Sequence, residues 1–339
     1  MSPGRLRDTI MRMARDHIVP QMLLRRFADK GERLLATPRA GGARVPMTVT
    51  RACREAGFYD IDIDPAFSHL APRNQIELSL ADFEGRASRL FERFTEDHLD
   101  LTPQDRFDLM LFVAFQAVRG WSFRAEISEL ATLMAKEEIR PRLTTQRLRS
   151  QLRKDGRPFD DAAVAAWRDE VLTSDWKVVP SQSAAVQQMG LLALNVIHPD
   201  LYFRRRVRVL RFEDPLLLVS DEPVALWARP TRDLHVHPLG IASADAIYMP
   251  IDRRHAIALL LSGDERVIDG GPTRAETINR LVASGAHRWI FQHPDDPPIE
   301  TGDLLERPRW GVETLGAIAE GHEIRVEKQV VRQRGPRPA

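Results

Sequence analysis

The spacing of hydrophobic residues changes near residue 200, and this change separates two kinds of predicted structure. Before it, apolar residues recur every three or four positions over residues 74–98, which predicts a long helix with one apolar stripe. Thr102 and Pro103 then form a typical helix start, and the run LMLFVAFQAV predicts a centrally buried helix that ends near Gly120. Further helices are predicted after Pro20 and over residues 122–139, 160–172 and 181–197.

After residue 200 the hydrophobic segments are shorter and typical of strands. Residues 203–211 alternate valine with arginine, as expected for a strand with one exposed face. The unbroken apolar run over residues 216–219 lies between prolines, which predicts a strand that is buried on both faces and central in a sheet. The remaining predictions are strands over residues 246–250, 256–261, 288–292 and 323–331, and one helix over residues 273–286.

This order of elements, with helices first and strands later, predicts an α+β fold. We expect a helix-rich part over residues 1–200 to pack on a mainly antiparallel sheet from a strand-rich part over residues 201–330. On this view residues 1–330 form a single compact domain, and residues 331–339 form a frayed tail.

The composition is that of an ordinary globular protein, with 43% hydrophobic and 29% charged residues in a chain of 339. The 49 lysines and arginines nearly balance the 48 aspartates and glutamates, so no overall charge indicates a nucleic-acid or membrane partner. Cys53 is the only cysteine, which excludes an internal disulfide. No apolar run approaches the roughly 20 residues of a membrane span. We therefore expect a soluble, cytoplasmic protein with no membrane partner; its oligomeric state is unknown.

The most basic stretch covers residues 140–157, where seven lysines and arginines accompany a single aspartate. Such a run can contact nucleic-acid phosphates. Because it has no interleaved aromatic residues and matches no nucleic-acid-binding motif, a solvated helix surface is the simpler interpretation. The partner hypotheses are therefore an unknown small molecule or a nucleic acid.

Two imidazoles, His235 and His237, have the two-residue spacing that places side chains on one face of a strand, where they could share a metal ion. The spacing fixes no third ligand and prolines flank the pair, so a solvated loop is the simpler interpretation and we assign no metal site. The chain also lacks a GxxxxGK phosphate loop and a GxSxG nucleophile motif. Triphosphate hydrolysis and ordinary serine hydrolysis therefore lose support, and the cofactor, if any, is unknown.

Candidate chemistry concentrates at the end of the predicted central strand, where Ser220, Asp221 and Glu222 precede Pro223. The Asp221 carboxylate suits a general base or a ligand of a hard cation, but it equally suits a cap on the turn before the proline. His17 is a second candidate, as an acid–base group that titrates near neutral pH. Its alternative is a histidine that is hydrogen-bonded at a helix entry.

Three more polar residues stand out in predicted helices. Gln116 and Arg119 interrupt an otherwise apolar helix and, three residues apart, point to nearly the same side. Arg119 either forms a buried ion pair, with Asp221 as an obvious partner, or binds an anionic ligand such as phosphate. Asn279, in the predicted helix over residues 273–286, is either another inward polar group or faces water.

Five stretches, taken together and in order, resemble an uncharacterised bacterial family known as domain of unknown function 4238. They are HIVPQMLLRRFA from His17, FQAVR from Phe115, LVSDEPVALW from Leu218, YMPIDRRHAIALL from Tyr248 and INRLVASGAHRWIF from Ile278. Two positions depart from the usual pattern: Ile18 stands where an aromatic residue commonly follows the histidine, and Glu222 where asparagine commonly follows the aspartate. The resemblance implies no established chemistry.

The functional hypothesis therefore rests on residue types. We predict a hydrolase that cleaves phosphodiesters or other phosphate-containing substrates, with His17 and Asp221 as catalytic residues and Gln116, Arg119 and Asn279 as substrate-binding residues. The alternative is a non-catalytic binding or sensor module, in which the same histidine, arginine and aspartate form a buried polar network. Because these residues come from both halves of the chain, a shared site requires the halves to dock.

Overall fold

The structure, a computed structural model, describes residues 15–61, 75–231, 239–302, 304, 309–320 and 323–333. The chain divides into two compact units. The first comprises residues 1–123, 182–308 and 334–339, and the second comprises residues 124–181 and 309–333. The single-domain organisation expected for residues 1–330 stays a prediction, as does the frayed tail, whose residues 334–339 lie outside the described ranges.

The first unit opens with short elements. Strand β1 (Arg15–His17) leads through Pro20 into helix α1 (Gln21–Leu24), which continues as a single 3₁₀ turn. Pro20 suits this position because the first turn of a helix needs no backbone donor there. Strands β2 (Arg33–Pro38) and β3 (Val45–Thr48) form an antiparallel hairpin, and β4 (Arg54–Ala56) returns to pair with β1.

Two long helices form the centre of this unit, as their periodicity predicted. They are α2 (Gln75–Thr95) and α3 (Pro103–Val118). Thr102 caps α3: its hydroxyl accepts from the Asp105 amide at 3.1 Å, and the Asp105 carboxylate accepts from the Thr102 amide at 3.1 Å. Nearly every side chain from Asp108 to Val118 is buried, so α3 is the central helix of the core.

Three helices carry the chain through the second unit. They are α4 (Trp121–Ile139), which begins in the first unit, α5 (Thr145–Lys154) and α6 (Asp161–Thr173). Leu148 and Leu152 of α5 pack on Val164 of α6, and this small cluster is the core of the helix pair. The predicted helices over residues 122–139 and 160–172 are confirmed.

The chain returns to the first unit with α7 (Gln182–Leu192), which runs through a single π-helical turn into α8 (His198–Arg204). The predicted helix end at residue 197 is therefore wrong. Pro199 does not stop the helix because it lies in the first turn of α8, where its missing N–H is tolerated.

The largest sheet has the strand order β10-β5-β9-β8-β7 and is antiparallel except between β10 and β5. All five strands follow residue 200; β5, β8 and β9 were predicted individually, whereas β7 and β10 were not. Their bounds are β5 (Arg206–Arg211), β7 (Ala225–Trp227), β8 (Ala246–Pro250), β9 (His255–Leu260) and β10 (Arg266–Asp269), with the two-residue β6 (Val219–Ser220) between β5 and β7 in the chain.

A second sheet combines strands from the N-terminal and C-terminal parts of the first unit. Helix α9 (Pro272–Gly285) precedes β11 (Trp289–Gln292), and the strand order β3-β2-β11-β6 places β11 between an N-terminal hairpin and β6. The apolar run over residues 216–219 therefore does not form a central strand, as its hydrophobicity predicted. Only Val219 and Ser220 are in strand conformation, at the sheet edge. Residues 217–219 are buried where α9 binds this segment, whereas Leu216 is 40% exposed.

In the second unit, β12 (Arg309–Glu320) and β13 (Glu323–Gln333) form a long antiparallel hairpin with a bulge between Thr314 and Gly316. With helices concentrated in the N-terminal half and mostly antiparallel sheets towards the C-terminus, the predicted α+β class is confirmed. Within the described ranges, no helix is long and apolar enough to cross a membrane.

Candidate functional site

A pocket with a volume of about 480 Å³ opens in the first unit beside the end of α3. Five segments contribute to its wall: the end of β1, helix α1, the turn after β4, one face of α2, and the residue that follows α3. Its polar lining includes His17, Gln21, Tyr59, Glu84 and Arg119. We call it the Arg119 pocket.

Arg119 directly follows α3, and its side chain is held by three protein groups although the residue is only 3% exposed. Its Nη1 donates to the Glu84 carboxylate at 2.6 Å, its Nε donates to the Tyr59 hydroxyl at 3.1 Å, and its Nη2 donates to the His17 carbonyl. A guanidinium has five N–H donors, so two are left for another partner. The ion pair is with Glu84 and not with Asp221, the partner expected from the sequence.

Electrostatics keep this arginine charged. Burial alone would lower the pKa of Arg119, but Tyr59 and the Glu84 carboxylate raise that pKa above its usual value. Burial also raises the pKa of the Tyr59 phenol, so the hydroxyl stays protonated beside the guanidinium. The Arg119 pocket thus contains a permanent cation and its counter-ion side by side.

His17 presents its imidazole to the same pocket. Gln21 donates from its side-chain amide to His17 Nε2 at 3.0 Å, and the Gln21 carbonyl accepts from Arg25 at 2.8 Å. Burial lowers the pKa of His17 from its usual 6.5; Arg54 and Arg119 lower it further, against a hydrogen bond to Thr50 and the charge of Glu84. The ring is therefore neutral at pH 7 and can accept a proton.

Asp221 lies outside this pocket lining and is surrounded by backbone donors. The residue is 1% exposed, and its carboxylate accepts from the amides of His287 and Arg288 at 2.7 Å and of Trp289 at 3.0 Å. These three consecutive amides belong to the connection from α9 into β11. Asp221 therefore holds the start of β11 in place, which is a stabilising contact to a distant segment.

Glu222 has a related role at the start of α4. Its carboxylate accepts from the Ser122 amide at 2.9 Å, in the first turn of that helix, where free N–H groups favour a negative charge. The carboxylate lies so close to Gly120 that a Cβ on this residue would overlap it. Glu222, one of the two residues that depart from the usual pattern, thus caps a helix distant in sequence.

The other two predicted site residues also lie outside the pocket lining. Asn279 donates to the Leu216 carbonyl at 2.7 Å and accepts from the Leu218 amide at 3.1 Å, so its amide binds the chain before β6. Gln116 is 1% exposed, and neither of its side-chain polar atoms has a hydrogen-bond partner among the described residues. Of the predicted residues, the pocket brings together only His17 and Arg119; a site shared with Asp221 stays a prediction.

No group of three His, Cys, Asp or Glu side chains in the described part of the chain could hold a metal ion. His235 and His237 fall outside those residues. Cys53 is buried, and burial raises the pKa of its thiol well above the usual value, with the charges of Asp221 and Glu222 acting in the same direction. This cysteine is therefore protonated near neutral pH.

Sequence analysis missed most of the pocket lining, including the polar residues Gln21, Tyr59 and Glu84. Glu84 did leave a signal, because it falls within the apolar stripe of α2, between Leu80 and Ala87 at helical spacing. A carboxylate at such a position indicates a buried cationic partner. Tyr59 and Gln21 left no such signal in the sequence, because no pattern near them indicates that they face Arg119.

Comparison with known proteins identifies a family. The sequence model of the family described as "Protein of unknown function (DUF4238)" matches residues 15–296, which is most of the chain and includes every element from β1 to β11. Neither the curated proteins nor the solved structures give a match.

Proposed function

We propose a ligand-binding function for this chain, which belongs to the DUF4238 family. The proposed ligand is a small polar molecule that binds in the Arg119 pocket. The observation that carries the proposal is the convergence of His17, Glu84 and Arg119, from three separate segments, on one cavity of about 480 Å³. Cavities of this size, with a few convergent polar groups, are typical of small-molecule sites.

A glycine at the rim of the pocket supports a role beyond packing. Gly85 lies in the middle of α2, where glycine destabilises a helix by about 1 kcal/mol relative to alanine. A Cβ added to Gly85 would meet no atom within 4 Å, so no close neighbour requires the glycine. Its absent side chain leaves the pocket wall open next to Glu84.

The charges of the lining indicate the class of ligand. Arg119 is balanced by Glu84 at 2.6 Å, and Arg25 is balanced by Glu32 at 2.9 Å, so the pocket has little net charge. A polyanion would have to compete with both carboxylates. The remaining Arg119 donors and the neutral His17 ring suit a net-neutral or zwitterionic ligand that both accepts and donates hydrogen bonds.

Filling the pocket tests the proposal without removing any polar contact. We expect Gly85→Leu to abolish binding of any small molecule that a thermal-shift and calorimetric screen of neutral, zwitterionic and anionic metabolites identifies. The matched control is Gly190→Leu, since Gly190 lies in helix α7, away from the pocket, and also has open space at its Cβ position. Gly190→Leu should bind like the unmodified protein.

Two results would contradict the proposal. One is a ligand whose affinity is the same with leucine at residue 85, because that ligand binds elsewhere. The other is a screen in which polyanions bind in the pocket more tightly than neutral molecules, which would restore the phosphate-binding role first predicted for Arg119.

Hydrolysis is a second candidate function, favoured by the neutral His17 ring in the same pocket. In this scheme His17 takes a proton from the attacking water and gives it to the departing oxygen as the ester bond breaks, while Arg119 donates to the negative charge that develops on the substrate. A phosphodiester or another phosphate-containing compound is the substrate class predicted from the sequence. Turnover of a phosphoester and carboxyl-ester panel, with and without a divalent metal, tests the scheme, and His17→Gln should abolish any turnover while leaving ligand binding measurable.

A further inference from the structure

Helix α5 presents a basic surface whose charges differ in how they are paired. Leu148 and Leu152 point into the small core with α6, so the opposite side of α5 faces solvent. Arg147, Arg153 and Lys154 lie on that outer side and are exposed. Among the side chains that the structure describes, none of these three forms an ion pair.

The flanking arginines are neutralised by neighbours. Arg140 pairs with Glu137 at 2.9 Å, and Arg142 pairs with Glu138 at 2.9 Å. Arg149 pairs with Asp161. The basic run over residues 140–157 therefore contains both balanced and unbalanced cations, and the unbalanced ones lie together on the outer side of one helix.

An aromatic ring adjoins the unbalanced cations. Phe159 is 43% exposed, and the Arg153 guanidinium lies 4.7 Å from the centre of its ring. The Phe159 carbonyl accepts from Arg149 Nε at 3.2 Å, which fixes the loop that carries the ring. The sequence pattern showed no aromatic within the basic run, because Phe159 follows that run and is brought to it by the turn into α6.

We propose that Arg147, Arg153, Lys154 and Phe159, which we call the α5 surface, bind single-stranded nucleic acid. Unpaired cations along one helix match the regular charges of a phosphate backbone, and an exposed ring offers a platform on which a base can stack. Arg147 and Lys154 are seven residues apart, about 10 Å along the helix axis, which is enough to contact more than one phosphate. An anionic membrane is the weaker fit, since the leucines of α5 point inwards and leave little apolar surface for insertion.

This inference concerns the second unit alone and does not depend on the Arg119 pocket. Its test is fluorescence anisotropy with a labelled oligothymidine and a labelled oligouridine over a series of salt concentrations. Two double variants each remove two positive charges: Arg147→Ala with Lys154→Ala, and the control Arg140→Ala with Arg142→Ala. Alanine is the better helix former, and circular dichroism checks that α5 persists.

We expect the first variant to weaken binding roughly tenfold at low salt and to reduce the logarithmic salt slope by about 1.4, because each neutralised phosphate of a single strand contributes about 0.7 to that slope. The control variant should change the affinity and the salt slope much less, because Glu137 and Glu138 already offset the charges of Arg140 and Arg142. Phe159→Ala should weaken binding by roughly tenfold because it removes the ring on which a base stacks, whereas the exposed Phe203→Ala should not.

Four results would overturn the inference. They are no binding of either oligonucleotide at low salt, equal reductions in affinity in the two double variants, binding of duplex in preference to single strands, and binding of phosphatidylserine vesicles without binding of oligonucleotides.

Discussion

Arg119 and Asp221 are two buried charges of the same unit, and the protein satisfies them in different ways. Arg119 is held by the Glu84 and Tyr59 side chains and one carbonyl, and it lines an open pocket. Asp221 is held by three consecutive backbone amides and lies outside that lining. From the sequence alone, both residues were predicted to belong to one site.

The difference lies in how much hydrogen-bonding capacity each charge keeps for a further partner. A carboxylate has about four lone-pair sites, and backbone amides occupy three on Asp221, which leaves little capacity for a substrate or a metal ion. The Arg119 guanidinium keeps two unused donors next to a cavity. Burial alone therefore does not distinguish the two charges; the capacity that their partners leave unused does.

The largest expected effect comes from the Asp221 region. Asp221→Ala removes a buried, charged acceptor from three partly buried amides, and we expect the free energy of unfolding to fall by about 3–5 kcal/mol. Urea denaturation measures this change, with the exposed Asp214→Ala as the control. A decrease below about 1 kcal/mol would be outside the range for buried unsatisfied donors and would show that Asp221 is not a stabilising residue.

The Arg119 region should be less sensitive, because its partner is a partly exposed side chain. Glu84→Gln keeps an acceptor for the guanidinium but removes its counter-charge, and we expect the free energy of unfolding to fall by about 2–3 kcal/mol. Glu92→Gln, an exposed position on the same helix, is the matched control in the same denaturation experiment. If the two variants were equally stable, the pairing of Arg119 with Glu84 would have no energetic role.

Disrupting the cap that Glu222 forms on α4 should destabilise the protein by a smaller amount. In Gly120→Ala the new methyl group displaces the Glu222 carboxylate from the Ser122 amide, and we expect a destabilisation of about 1–2 kcal/mol. A double-mutant cycle checks the cause. In the Glu222→Ala background, where both the cap and the group that the methyl would overlap are gone, Gly120→Ala should destabilise the protein less, and additive effects would exclude this mechanism.

The smallest expected effect is the contribution of His17, in the Arg119 pocket, to the pH dependence of the free energy of unfolding. The pKa of His17 is lowered in the folded protein, so the unfolded chain takes up the proton first as pH falls below 6.5. Stability should therefore decline from neutral pH to the folded pKa and then level off. His17→Gln should make that decline shallower, as measured by urea midpoints between neutral pH and about pH 5.

The burial that lowers the pKa of His198 acts in the same direction, so His198→Gln serves as a second reference for this measurement. An unchanged pH profile in His17→Gln would show that His17 does not contribute to the acid sensitivity.

Local patterns in the sequence determined most of the secondary structure. The apolar stripe of α2, the buried run of α3 and the cap at Thr102 all depend on residues within a few positions of one another, and all appear as predicted. The order of helices and strands likewise determined the α+β class. The family followed from five short stretches read in order.

Only the tertiary structure decided which partners the charged residues have. Arg119 meets Glu84, 35 positions away, and Asp221 meets the amides of residues 287–289, 66 to 68 positions away. Residues 217–219 likewise lie buried beside α9 and lead into a strand at the sheet edge, whereas the hydrophobicity of the run had predicted a central strand. Hydrophobic periodicity indicates which side of a helix or strand is buried, but it does not indicate which segment packs against that side. Hydrogen bonds between distant segments form only when those segments pack together, so the sequence pattern does not predict them.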